Sequence, residues 1–211
     1  MKKLILASNN QGKLAEFQSL FDKANLGISI IPQGELGITD ADETGLSFVE
    51  NAIIKARHAS SASGLPALAD DSGLCVPVLG NFPGIYSARY ASLNNMGEKG
   101  DDGANNQTLL AKLQPFFEKG EMVDAFFVCV LALVRHADDP LPMIAQGLWR
   151  GQILKEPVGE HGFGYDPLFW LPELNKTSAQ LEKSEKNAIS HRGQALDKLI
   201  AHLKQGKFDR L

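Results

Sequence analysis

Residues 4–32 read LILASNNQGKLAEFQSLFDKANLGISIIP, and this stretch opens an alternating strand and helix pattern. The apolar run Leu4-Ile5-Leu6-Ala7 stops at polar residues, the pattern of a short buried strand. Asn10 to Gly12 carry turn chemistry. Leu14, Phe17, Leu20 and Phe21 then recur at helical spacing, and Ile28 to Ile31 form a second strand halted by Pro32.

The same alternation continues downstream. Phe48, Ala52, Ile53 and Ala56 predict an amphipathic helix over 46–62, followed by Gly64-Leu65-Pro66 and a short strand, Ala67-Leu68-Ala69. A third helix is predicted over 104–118, ended or kinked by Pro115. The β-branched and aromatic run 124–136 is the strongest strand, and 143–149 with 151–156 suggest a paired strand and turn. A last helix over 187–204 places Ile189, Leu196, Ile200 and Leu203 on one face, with Gly206 as its stop. Residues 92–106 are the most polar stretch and read as an exposed loop. Strand-helix alternation followed by long antiparallel-looking strands gives a mixed α/β fold in a single domain, 1–211.

Composition limits the function. The chain has 211 residues with 21 basic and 25 acidic side chains, a net charge of −4. That excludes the basic footprint of a protein gripping a nucleic-acid polymer. It leaves room for a nucleotide, whose phosphates a few local cations and a metal can hold. Cys75 and Cys129 lie far apart in apolar contexts and read as small core residues rather than a disulfide or a zinc site. The longest apolar run, Ala125 to Val134, is too short to cross a bilayer as a helix, and the N-terminus lacks a signal sequence core. The expectation is a cytoplasmic protein with no membrane partner.

Five constellations carry possible chemistry. Ser8-Asn9-Asn10-Gln11-Gly12-Lys13 sits where a strand turns into a helix, and a helix N-terminus with a nearby lysine suits phosphate. The pattern is not a P-loop, because Ala7 and Leu14 occupy the positions of its first glycine and its hydroxyl. An ordinary turn with a solvated lysine is the alternative. Asp42 and Glu43 precede the second helix. Asp42 suits a capping role, and Glu43 serves equally as a cap or as a hard ligand for a divalent ion. Ala69-Asp70-Asp71-Ser72-Gly73 places two adjacent carboxylates at a strand end. Such a pair is costly in a cleft unless a cation or a proton relieves it, and Mg²⁺ does so with help from phosphates and water. The alternative is an exposed acidic turn. Gly162-Phe163-Gly164-Tyr165-Asp166-Pro167 sets an aromatic ring between two glycines, a poor core but a good clamp for a base. Lys186 to Gly193 opens the last helix with Lys186 and Ser190 one turn apart, and with Arg192 as a planar donor fork.

Together these segments resemble the inosine triphosphate pyrophosphatase family. The matching text is LASNNQGK, ETGLSFVENAIIKA, ADDSGL, PGIYSARYA, GFGYDPLF and EKNAISHRGQAL, in the family's order across positions 6 to 197. The resemblance implies an elongated central mixed sheet flanked by helices, two lobes with a nucleotide-binding cleft, and a homodimer. It implies hydrolysis of dITP, ITP and XTP to the monophosphate and pyrophosphate. Asp71 matches the family's proton acceptor and Mg²⁺ ligand, and Glu43 a second metal-associated acid. Ser8, Asn9, Asn10, Gln11, Gly12 and Lys13 match the triphosphate-binding turn, and Ser72 a substrate contact. Phe163, Gly164, Tyr165 and Asp166 match the base-binding loop, while Lys186, His191 and Arg192 match further substrate contacts. Ser8 and Asn9 depart from the Thr-Gly of many bacterial members. By the same resemblance a water activated by Asp71 and Mg²⁺ attacks the α-phosphorus, and His191 and Arg192 are the candidate donors to a 6-oxo purine.

Two other classes fit parts of this pattern. A metal phosphatase with an aspartyl nucleophile would usually show D-x-D, whereas Asp70 and Asp71 are adjacent. A nucleotide-sensing module would bind without turnover and would not need the acid at position 71. Arg89, in PGIYSARY, approaches phosphate in one reading and is structural in another.

Overall fold

The computed structural model describes residues 2–9 and 11–205. The elements run β1 (Lys2–Leu6), α1 (Gln11–Ala24), β2 (Ile28–Pro32), α2 (Phe48–Ser63), β3 (Ala67–Val76), β4 (Phe82–Pro83), α3 (Tyr90–Leu93) and α4 (Asp102–Glu118). They continue through β5 (Val123–Val134), β6 (Met143–Ile153), β7 (Phe169–Leu171), β8 (Lys176–Thr177), α5 (Lys183–Ile189) and α6 (His191–Lys204). The strands form one mixed sheet in the order β2-β1-β3-β5-β6-β7-β8, with β4 paired to β3. β1 runs parallel to both β2 and β3, as the opening βαβ pattern requires, whereas β7 is antiparallel to β6 and to β8.

The chain forms two compact units, and β3, β5 and β6 each contribute residues to both. The first comprises residues up to Asp71, Cys129–Gly147 and Arg192 onward. Its core joins Leu4 and Leu6 of β1, Phe17 and Phe21 of α1, Leu131 and Leu133 of β5, and Leu196 and Leu199 of α6. The second comprises Ser72–Val128 and Leu148–His191. Its core joins Leu74, Leu109, Leu113, Phe127, Trp149 and Phe169. Both cysteines are buried and unbridged, and burial pushes their thiols up to about 11 (Cys75) and about 12 (Cys129). They are core residues, as their sequence context indicates.

Four sequence expectations change. The strand expected to end at Ala69 continues to Val76, because Asp70 and Asp71 are buried within it rather than exposed in a turn. The strand and turn expected over 143–149 and 151–156 are instead one strand as far as Ile153. Gly151 is no turn there: a side chain on it would meet the Trp170 carbonyl at 2.5 Å and the Phe169 ring at 2.7 Å, so glycine admits the close approach of β7. Helix α4 starts earlier than expected, which takes 102–106 out of the polar loop. It also runs through Pro115 to Glu118, held by Leu113, Phe116 and Phe117 against the second core. Finally, the helix expected over 187–204 is two helices broken at Ser190, which is extended at φ −67 and ψ 160. The break accompanies burial of His191 and Arg192, and tertiary contacts override helix propensity there. The predicted stop at Gly206 lies outside the described residues.

Candidate active site

In a strand, successive side chains point to opposite faces. Asp70 and Asp71 therefore leave β3 on opposite sides, and different helices supply their cations: α1 and α6 for Asp70, α2 for Asp71. Lys13, in the first turn of α1, reaches Asp70 Oδ2 at 2.7 Å, and Arg192 Nε of α6 lies 3.9 Å from the same oxygen. Lys55, two turns into α2, donates to Asp71 Oδ1 at 2.7 Å. The adjacent acids expected to need a cation are thus relieved by ammonium and guanidinium groups.

The two carboxyls consequently differ. Burial raises the Asp70 carboxyl, but Lys13, Arg192 and Lys55 outweigh it and hold the group well below the usual carboxylate range. Burial dominates at Asp71; Lys55 opposes it, Glu43 and Asp70 add to it, and the result stands at about 6. For Lys55, burial disfavours the charge, yet the facing carboxylates of Asp71, Asp70 and Glu43 leave the ammonium raised.

Lys55 also donates to Glu43 Oε1 at 2.7 Å, so Glu43 and Asp71 converge on one cationic centre. Asn51, one turn before Lys55, places its amide 3.4 Å from Asp71 Oδ2 and accepts from the Gly45 amide at 2.9 Å. This i, i+4 pair aims both side chains of α2 at the acids. The reading of Asp42 or Glu43 as the helix cap is overturned: Ser47 is the N-cap, and Glu50 reaches back to the Ser47 hydroxyl at 2.6 Å. Lys55 is the residue of this cluster that sequence reasoning missed. Its signal was its place one turn after Asn51 in ENAIIKA, beside the small buried residues Ala52, Ala56, Ala59 and Ser60.

At the β1–α1 turn, Ser8 is buried and its amide donates to Leu6 O at 2.9 Å. The Asn9 amide donates to Asp40 Oδ1 at 2.9 Å, where the buried Gln33 amide also donates, at 2.6 Å. Asn10, and the side chains of Gln11 and Gly12, lie outside the described residues. Ser72 is half-buried in β3.

In the second unit the glycine-rich segment is a network of internal hydrogen bonds. Asp166 accepts from the Phe163 amide at 2.9 Å, from Ser178 Oγ at 2.8 Å and from Lys186 Nζ at 2.5 Å. Tyr165 is buried, and its hydroxyl donates to Ser87 O at 2.9 Å. Gly164 is bonded through both its N–H and its C=O to side chains of α4. The Phe163 ring, by contrast, is 42% exposed, with Lys186 Nζ 5.1 Å from its centre. His191 is buried and stacked on Phe127, with ring centres 4.8 Å apart, and next to Trp149 at 6.3 Å. Arg89 packs over the Tyr86 ring at 5.4 Å.

The structure thus gathers Glu43 and Asp71 on Lys55, and Lys13 and Arg192 on the adjacent Asp70. It groups Phe163, Asp166 and Lys186 separately. Among the described residues, no three His, Cys, Asp or Glu side chains gather as a metal site. Two convergent carboxylates nonetheless match the donor set of Mg²⁺, which takes one or two protein carboxylates and fills its octahedron with phosphate oxygens and water. The Lys55 ammonium between Glu43 and Asp71 marks where positive charge is favoured.

Residues 4–202 match the profile of the Ham1 family. A protein of Acinetobacter baumannii named dITP/XTP pyrophosphatase is 67% identical over 193 residues, covering 92% of this chain and 91% of its own. One of the same name from Ralstonia nicotianae is 55% identical over 204 residues, covering 97% and 98%. The structure of a HAM1 protein from Coxiella burnetii superposes with a TM-score of 0.88 at 48% identity, covering 97% of this chain and all of that one.

Proposed function

The chain belongs to the Ham1 family, and from that premise we propose that it hydrolyses the non-standard purine nucleoside triphosphates dITP, ITP and XTP to a nucleoside monophosphate and pyrophosphate. The observation that carries the reading is Lys55 binding Glu43 and Asp71 at once, beside a separately neutralised Asp70. The names of the relatives support the substrate class.

Glu43 and Asp71 are the residues that would hold Mg²⁺. When bound, the ion supplies charge neutralisation for the triphosphate and acidifies a coordinated water. The chain's own groups carry the remaining roles. Asp71 takes the proton of the attacking water as its oxygen bonds the α-phosphorus, and the bond from that phosphorus to the β-phosphate oxygen breaks to release pyrophosphate. Lys55 orients Asp71. The α1 N-terminus with Lys13, and the turn Ser8 to Gly12, hold phosphate charge by position rather than by covalent chemistry. Ser72 is a further substrate contact. Phe163 stacks on the base, with Gly164, Tyr165 and Asp166 shaping its loop and Lys186 beside it. His191 and Arg192 donate to a 6-oxo group, and adenine's amino group, itself a donor, cannot accept from them. In this reading the chain acts as one domain, as a homodimer, and in the cytoplasm. Among the described residues no helix is long and apolar enough to cross a membrane.

The test is a panel of nucleoside triphosphates with Mg²⁺, with pyrophosphate and orthophosphate measured separately. ITP, dITP and XTP are expected to yield pyrophosphate much faster than ATP or GTP. Orthophosphate as the direct product, or equal rates on ATP, overturns the proposal.

A further inference from the structure

Phe163 is the exposed ring of its loop, and two backbone amides fix where it points. Its own N–H is held by Asp166 Oδ2 at 2.9 Å. The next one, of Gly164, donates to Asp102 Oδ2 at 2.7 Å, and the Gly164 carbonyl accepts from Asn106 Nδ2 at 2.9 Å. Asp102 and Asn106 are one turn apart on α4, so a single helix face grips both polar groups of one peptide residue. Helix α4 is itself fixed. Asp101 caps it by accepting from the Ala104 amide, and Asn105 Oδ1 accepts from the Ala91 amide at 2.8 Å.

We propose that Asp102 and Asn106 are positioning residues that set the Phe163 ring for base recognition. Neither is needed for the chemistry assigned to Asp71, and neither has been given a contact with the nucleotide. Asn106 carries a further sign of this. Its Oδ1 is buried and accepts no hydrogen bond among the described residues, which is unfavourable for a residue present only for stability. What the amide supplies is the donor to Gly164. Asp102 is exposed, so its carboxylate has no packing role to confuse the outcome. The bland alternative is that both side chains merely tie a surface loop to a helix.

The inference rests on the proposed triphosphate reaction for its kinetic arm, and a second arm is independent of it. Asn106→Leu and Asp102→Ala each remove one hydrogen bond, and Asp102→Asn keeps an acceptor. In the substrate-free protein, amide hydrogen exchange across 163–166 is expected to quicken in the first two variants and to stay near wild type in Asp102→Asn. With ITP, the first two should each raise KM by roughly 3- to 10-fold, the scale of one net hydrogen bond, with kcat within twofold and discrimination against ATP reduced. Unchanged exchange in Asn106→Leu and Asp102→Ala overturns the clamp whatever the substrate. Faster exchange with unchanged KM on a wild-type enzyme that does prefer ITP overturns its role in base recognition. A wild-type enzyme with no such preference overturns the reaction class instead, while the exchange result still decides the clamp.

Discussion

Lys55 holds Asp71 at 2.7 Å with the same ammonium that holds Glu43 at 2.7 Å. One side chain therefore sets both the position and the charge of the acid assigned to proton transfer. Lys55→Met would leave Asp71 facing Glu43, with Asp70 as its neighbour in the chain, in a site where burial already disfavours its charge. Hydrolysis is expected to fall by about 10²-fold or more, the scale of losing one preorganised electrostatic partner. Lys55→Arg should recover little, because a planar fork does not reproduce a point charge shared by two carboxylates. Steady-state kinetics on ITP check this, and Lys55→Met activity within tenfold of wild type would remove Lys55 from the mechanism.

The neighbouring acids should fail in different ways. Asp71→Asn keeps the size and the Asn51 and Lys55 contacts in reach but cannot accept the proton. Nucleotide affinity should hold within a few-fold while turnover drops by roughly 10³-fold or more. Asp70→Ala removes a carboxylate partner of the half-buried Lys13 and of the buried Arg192. It should lower stability by about 2–4 kcal/mol, the scale of breaking a largely buried ion pair from one side. Chemical denaturation alongside binding separates the two. Equal stability losses in both variants would contradict the division of roles.

The opening βαβ unit was legible because apolar periodicity and parallel pairing are local matters, and Leu4, Leu6 and Phe17 lie in the core their spacing foretold. The acidic strand was not legible. Nothing local tells that Asp70 and Asp71 are buried, since the cations that make burial tolerable come from positions 13, 55 and 192. Lys55 was hidden for the same reason: on sequence alone it is an ordinary helix lysine. The break at Ser190 was missed because it serves contacts made by His191 and Arg192 elsewhere in the fold rather than any local breaker residue.

Gly162 offers a test of the base loop from its other end. Its φ is +82, and a side chain there would come within 2.1 Å of Asp166 Oδ2, the oxygen that holds Phe163 and Lys186. Gly162→Ala combines backbone strain with displacement of that carboxylate. The expected result is a KM for ITP raised tenfold or more, with a smaller effect on kcat. An unchanged KM would show that the Asp166 network does not govern substrate binding.

The Arg135–Asp139 pair should make stability depend on pH. Asp139 is fully buried and accepts from Arg135 Nε at 2.8 Å, from Arg135 Nη2, and from the amides of Arg135 and Leu141 at 2.9 Å. The Arg135 hydrogen bonds hold its carboxyl well below the usual range, against the opposing effect of burial. A carboxyl depressed in the folded state stabilises the fold above its unfolded value, about 4, and that contribution drains away as pH falls from there toward the folded value. Asp139→Asn is therefore expected to be less stable than wild type at pH 7 by about 1–3 kcal/mol, a range kept modest because the Arg135 side chain is one-third exposed. The Arg57 bond to the Asp139 carbonyl should survive the substitution, since it involves the backbone. The gap between the two proteins should narrow as pH drops below about 4, measured as urea midpoints across a pH series. Equal midpoints at pH 7, or a gap that widens in acid, would refute the assignment.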